Sequence, residues 1–318
     1  MKSNVLAIAI PTYNRPEILE ENLRQLLPDL LATNVPVYIS DDSTNESTGQ
    51  IIEELSKEYP YFYYTRNQPG LGHDYNCIST LLTPSENYVW YLGDSLQVAE
   101  GYLQKALMLA ETGSYDFILV NAHCGDAAER SIEEMHDFLL DHAWYLTMTG
   151  ATIYSRRVID IACNKDLAAR FRNFPQLAII LDYCRNHPAA RAYWMGSPGL
   201  RTSSKKSSYW STKAINVFAL DWINLIDGFP DYLSRNERDS VIKSHSRNTY
   251  TFKIGHLLRL RMNGGLDFQR ARQFAAQLRR TSYTPYWLLT MVATLPLPLC
   301  TVIIKLLDFR QASRSRSS

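Results

Sequence analysis

Four polar clusters interrupt the first 95 residues, each at the end of an apolar run. They are Pro11-Thr12-Tyr13-Asn14-Arg15, Asp41-Asp42-Ser43, Asn67 followed by Gly70, Gly72 and Asn76, and Gly93-Asp94-Ser95. These residue types suit a polar, anionic ligand. Carboxylates accept N–H and O–H donors without shedding a proton, and they hold divalent cations. Arginine offsets negative charge, and glycine lets the backbone pass close to a ligand or turn at positive φ.

The apolar run at 5–10, stopped by Pro11, fits a parallel strand buried on both faces. Asn14 is expected to cap a helix opening at Pro16, with Ile18, Leu19, Leu23, Leu26, Leu27 and Leu30 along one face. Strands are expected at 35–40, 62–66 and 88–92, with helices at 48–59 and 73–82 between them. This alternation predicts an α/β fold with a doubly wound, mostly parallel sheet. Ligands in such sheets bind at the carboxyl ends of the strands, which is where all four clusters fall. Farther on, strands are expected at 116–121 and 149–155, an edge strand at 191–196, and helices at 132–147, 157–163 and 165–190. From 210 the pattern is mostly helical, and the Ser/Arg-rich tail from 312 reads as disordered.

Of 318 residues 46% are hydrophobic and 20% charged, which excludes global disorder and leaves room for one α/β domain plus a helical extension. The net charge of +1 hides an asymmetry. From Lys243 onward three Lys and ten Arg face two Asp, a surplus of 11, so residues 1–242 carry −10. A basic C-terminal quarter points to an anionic partner. The five cysteines (77, 124, 163, 184, 300) have no metal-knuckle or CxxC spacing, and the N-terminus lacks a signal-peptide pattern; a reducing cytoplasm is expected.

The ordered set Ile10–Arg15, Asp41-Asp42-Ser43, Asn67 to Asn76 and Trp90–Ser95 resembles family-two glycosyltransferases of the GT-A nucleotide-diphosphosugar fold. The segment from Gly150 to Arg157 is similar to that family's acceptor-side strand and basic turn. The resemblance implies a GT-A-like domain at 1–200, with a nucleotide-binding half at 1–95 and an acceptor half at 96–200. It implies donor contacts from Pro11, Thr12, Tyr13, Arg15, Asp41, Asp42, Asn67, Gly72, Asn76 and Gly93. It also implies Mg²⁺ or Mn²⁺ on Asp94, with His245 as a second ligand, because this turn carries one carboxylate where the family usually carries two or three. The family's Glu-Asp pair is not apparent around Phe174-Pro175-Gln176, so Asp182 is the expected catalytic base, with pairing to Arg185 as its structural alternative. Arg156 and Arg157 are candidate phosphate contacts.

The C-terminal region at 201–311 is expected to associate with membranes. Arg259, Arg261, Arg270, Arg272, Arg279 and Arg280 precede Tyr283, Tyr286 and Trp287, and an apolar stretch runs over 287–307, broken by Pro296 and Pro298. A peripheral or re-entrant anchor through 281–310 on an anionic membrane surface follows, at the cytoplasmic face of the inner membrane. The implied activity is sugar transfer from a nucleotide-diphosphate sugar, UDP first, to a polyprenyl-diphosphate-linked saccharide of O-antigen, capsule or other surface polysaccharide. The alternative is a non-catalytic nucleotide-sugar-binding subunit of such an assembly. No nucleic-acid partner is expected, since nucleic acid would explain the basic tail but not the strand-end clusters.

Overall fold

The computed structural model describes residues 1–203 and 212–315, with side chains through 308. The chain divides into compact units Met1–Lys206 and Ser207–Ser318. The first runs past 200, where a boundary was expected, because Leu200–Thr202 still pairs with Leu96–Val98.

In the first unit β1 (Leu6–Thr12) buries Leu6, Ile8 and Ile10 toward one helix layer and the smaller Ala7 and Ala9 toward the other. There follow α1 (Pro16–Thr33), β2 (Val37–Asp41), α2 (Ser47–Ser56), β3 (Phe62–Arg66), α3 (His73–Leu82) and β4 (Tyr88–Tyr91). Beyond these lie β5 (Leu96–Val98), α4 (Tyr102–Glu111), β6 (Phe117–Asn121), β7 (Arg130–Ile132) and α5 (Met135–His142). The unit ends with β8 (Thr152–Ser155), α6 (Arg156–Ala162), α7 (Lys165–Arg170), α8 (Pro175–Asn186), β9 (Ala192–Pro198) and β10 (Leu200–Thr202). The eight-stranded sheet has the order β3-β2-β1-β4-β8-β6-β9-β7, with only β8 and β7 antiparallel to the rest. The chain moves outward from β1 to β3 and then returns to the other side of β1, so the topological switch point lies between β1 and β4.

Several local expectations change. Asn14 is not the helix cap: its φ is 52°, and Arg15 occupies the cap position ahead of Pro16. The helix expected at 132–147 resolves into the end of β7, α5 and a short turn at Tyr145–Thr147. The one expected at 165–190 divides into α7, which ends at Arg170, and α8, which Pro175 starts; Phe171 leaves the helical path at φ −121°, and Asn173 turns at φ 65° between them. The expected edge strand near 191 is β9, which lies inside the sheet between β6 and β7. Residues 312–315, expected in a disordered tail, continue the last helix, and 316–318 lie outside the described residues.

The second unit is helical: α9 (Trp222–Asp227), α10 (Arg235–Thr249), α11 (Ile254–Met262), α12 (Phe268–Gln273), α13 (Ala275–Thr281), α14 (Tyr286–Thr294) and α15 (Leu297–Ser315). Ser234 and Glu237 form a capping box at the start of α10. Part of the positive charge is neutralised internally, since Arg280 pairs with Asp227 and Asp239, and Arg259 with Asp308 at 2.7 Å. No single described helix is long and apolar enough to cross a membrane. α14 and the stretch Leu297–Asp308 pass that test together, bent by 117°.

Candidate active site at the strand ends

β1 ends in Thr12, and the turn after β4 presents Asp94 beside it. The Thr12 hydroxyl donates to Asp94 Oδ2 at 3.1 Å, and Arg15 Nη1 donates to Oδ1 at 3.3 Å. From α1, Asn22 Nδ2 donates to the main-chain carbonyl of Asp94 at 2.7 Å. Thr12 also meets the acidic turn, because its carbonyl accepts from the Asp42 amide at 3.0 Å. Adjacent strands lie about 4.8 Å apart, so β2, β1 and β4 bring all three aspartates within about 10 Å along one edge. The ends of β1, β2 and β4 thus lie side by side at one sheet edge.

The two neighbouring aspartates are used differently. Asp41 is fully buried; its Oδ1 accepts from the Ser43 amide at 2.8 Å and its Oδ2 from the Tyr64 hydroxyl at 2.9 Å. Expected to meet the donor, it instead braces the turn from beneath. Asp42 is 8% exposed and ties down the loop between β3 and α3. Its Oδ2 accepts from the Gly72 amide and its Oδ1 from Asn67 Nδ2, both at 2.7 Å. Gly72 turns at φ 80°, a region that glycine enters without strain. Asn76, placed by sequence at the nucleotide, is instead buried, accepting from Ser40 Oγ at 2.6 Å and locking α3 onto β2. Tyr13 is 58% exposed at the mouth of the crevice. Gly93 packs beneath, where a Cβ would come within 3.3 Å of Thr149.

Asp182 and Arg156 lie away from the crevice, and His245 is buried. Asp182 lies about 10 Å along α8 from its start at Pro175. That start is at the crevice edge, where Gln176 donates to the carbonyl of Thr147 ahead of β8. The far end meets the opposite sheet edge, where Tyr183 donates to Asp116 at the beginning of β6. Asp182 sits there, paired with Arg185 at 2.7 Å, so it is a surface-pair residue and not the base. Arg156 is also at the opposite edge, bonded to the carbonyls of Pro84 and Glu86. His245 is a core residue of the second unit. Its ring lies 4.7 Å from Phe218 and 5.3 Å from Trp222, and burial drives its pKa down to about 3. Its ring is enclosed in the second unit's core, 1% exposed, which leaves it no open side for a metal ion.

Two contributors escaped the sequence reading. Tyr64 carries no signal beyond its alternation in a tyrosine-rich strand. Asn22 does carry one, an amide at a leucine position in the apolar stripe of α1.

Asp94 is the one carboxylate at its turn, and no cluster of three or more His, Cys, Asp or Glu able to hold a metal occurs among the described residues. Its two oxygens, held by Thr12 and Arg15, belong to the hard-oxygen class of ligand that Mg²⁺ and Mn²⁺ prefer. Mg²⁺ and Mn²⁺ accept one carboxylate together with substrate phosphates and water. The residues therefore fit a cation that arrives with a diphosphate.

A mostly parallel α/β sheet with a carboxylate and a guanidinium gathered at the β1–β4 switch point is the architecture of GT-A glycosyltransferases. The chain belongs to glycosyl transferase family 2, whose family model matches residues 7–171. It is similar to abequosyltransferase RfbV of Salmonella typhimurium, 30% identical over 108 residues, which are 31% of this chain and 32% of that protein. The match thus spans about a third of that relative's length. Among solved structures, residues 1–349 of S. aureus TarS in complex with UDP-GlcNAc share the fold at a TM-score of 0.56 and 14% identity, over 88% of this chain and 82% of that one. The mannosyltransferase PcManGT from Pyrobaculum calidifontis, in complex with GDP-Man and Mn²⁺, does so at 0.51 and 11% identity, over 97% and 88%.

Proposed function

We propose that the chain transfers a sugar from a nucleoside-diphosphate sugar, UDP-sugars first, to a polyprenyl-diphosphate-linked saccharide at the cytoplasmic face of the inner membrane. The product would serve O-antigen, capsule or another surface polysaccharide. One observation carries this reading: Thr12 and Arg15 hold Asp94 at the switch point, directly before the N-terminus of α1. The resemblance to an abequosyltransferase supports the acceptor class, and the donors bound by the two structural relatives support the donor class. Exposed Trp287, Met291, Val302 and Leu306 on α14 and α15 support a membrane-facing role.

The residues divide the work. The Arg15 guanidinium and the positive end of the α1 macrodipole attract the diphosphate. Tyr13 offers an aromatic face to the nucleobase, and Asp42 fixes the Gly72 loop that walls the donor. Asp94 would hold a divalent cation, which when bound neutralises charge developing on the leaving nucleoside diphosphate. An entering diphosphate would compete with Asp94 for the Arg15 guanidinium.

The test is donor hydrolysis and transfer over UDP-, dTDP-, GDP- and CDP-sugars, with and without Mn²⁺. Wild type should turn over one donor class, and Asp94→Ala should lose about 100-fold or more. If the folded wild type turns over none of them, the catalytic reading fails in favour of a nucleotide-sugar-binding subunit.

A further inference from the structure

α1 lays Leu19, Leu23, Leu26 and Leu30 into the core, and one amide interrupts that stripe. Asn22 is 7% exposed and borders a cavity of about 10 Å³ walled by Leu92, Gly93, Asp94, Leu96 and Val98 as well as its own helix. Its Nδ2 donates to the Asp94 carbonyl at 2.7 Å, while its Oδ1 has no partner. The network fixes this orientation, because the reversed amide would set two oxygens 2.7 Å apart. The cavity is at the lower limit for one water, and Gly93 and Asp94 line it together with Asn22. A buried acceptor left unsatisfied destabilises the fold, and leucine, nearly the same shape, would complete the stripe. The bond to Asp94 is what the amide supplies in exchange.

We propose that Asn22 is a positioning residue of the donor site. It anchors the main chain of Asp94 from α1, so that Thr12 and Arg15 can aim the carboxylate from the other side. This rests on reading the crevice as the donor site. Without Asn22 the main chain of Asp94 loses its tie to α1, and the carboxylate samples positions that miss the diphosphate.

Full-length protein carrying Asn22→Leu or Asn22→Asp tests the assignment. Amide hydrogen exchange is read over 93–96 in ligand-free protein, and affinity is read for UDP with Mn²⁺. Asn22→Leu should melt within ~3 °C of wild type. Its exchange over 93–96 should rise about tenfold while other segments keep their rates. UDP–Mn²⁺ affinity should fall about tenfold or more. Asn22→Asp, which keeps the shape but removes the donor, should show the same two losses even if the leucine variant folds poorly. Unchanged exchange and unchanged UDP affinity in both variants would overturn the inference alone. A wild type that ignores UDP, dTDP, GDP and CDP with Mn²⁺ would overturn the donor reading and the positioning role with it.

Discussion

Asp94 and Arg15 form an ion pair at 3.3 Å in which the carboxylate side chain is 9% exposed and the guanidinium 26%. A cation approaching alone meets the like charge of Arg15 and must displace or share its partner. A cation arriving with a diphosphate meets an Arg15 already drawn to phosphate oxygens. Mn²⁺ by itself should therefore raise the melting temperature little, UDP modestly, and the two together by more than their sum, because a ligand stabilises only as far as it binds the native state. Differential scanning fluorimetry on the three mixtures checks this, and a full response to Mn²⁺ alone contradicts it. Arg15→Ala should strengthen the Mn²⁺-only response while weakening that to UDP. Sequence exposed Thr12, Arg15, Asp42 and Asp94 because strand-end side chains announce themselves by chemical type. It hid the burial of Asp41 and Asn76, since whether a polar side chain faces ligand or core depends on partners such as Tyr64 and Ser40 contributed by other elements.

At the scale of elements, β3 and α3 match the ranges read from the pattern, because their apolar spacing and the Gly70/Gly72 turn leave little choice. α10 shows the opposite case. Its sequence is largely polar, and its buried residues are Val241, Ile242, His245 and Ser246. His245, expected to bind metal, instead fills a slot against Phe218 and Trp222. Burial lowers the pKa of His245 to about 3, and burial followed by the Arg259 charge lowers that of His256 to about 4. Both ordinary values are 6.5, so between the folded and unfolded pKa values the unfolded chain binds the extra protons. The stabilisation is complete above pH 6.5 and falls as pH drops toward 4, by up to about 1.4 kcal/mol per pH unit for each fully buried group. Urea midpoints at pH 7 and pH 5 should differ accordingly, and His245→Phe should reduce that difference. Equal pH sensitivity in the variant would refute the assignment.

For the whole molecule, charge and apolar exposure share the C-terminal quarter. Residues from Lys243 onward carry the 11-charge surplus, and in the second unit Trp287, Leu299, Val302 and Leu306 stand 45–64% exposed. Such a combination favours anionic lipid. The full chain should float with phosphatidylglycerol-containing vesicles and not with phosphatidylcholine alone, and Trp287→Glu with Leu306→Glu should abolish flotation while leaving UDP binding intact. Flotation of the double variant equal to wild type would remove the membrane proposal without touching the crevice. The crevice itself is tested most directly by titrating UDP with Mn²⁺ into wild type, Asp42→Asn and Asp94→Asn by calorimetry. One site per chain in wild type is expected, with affinity reduced about tenfold or more in each variant. Tight binding unchanged by both substitutions would contradict the account, since UDP would then be held away from the β1–β4 switch point.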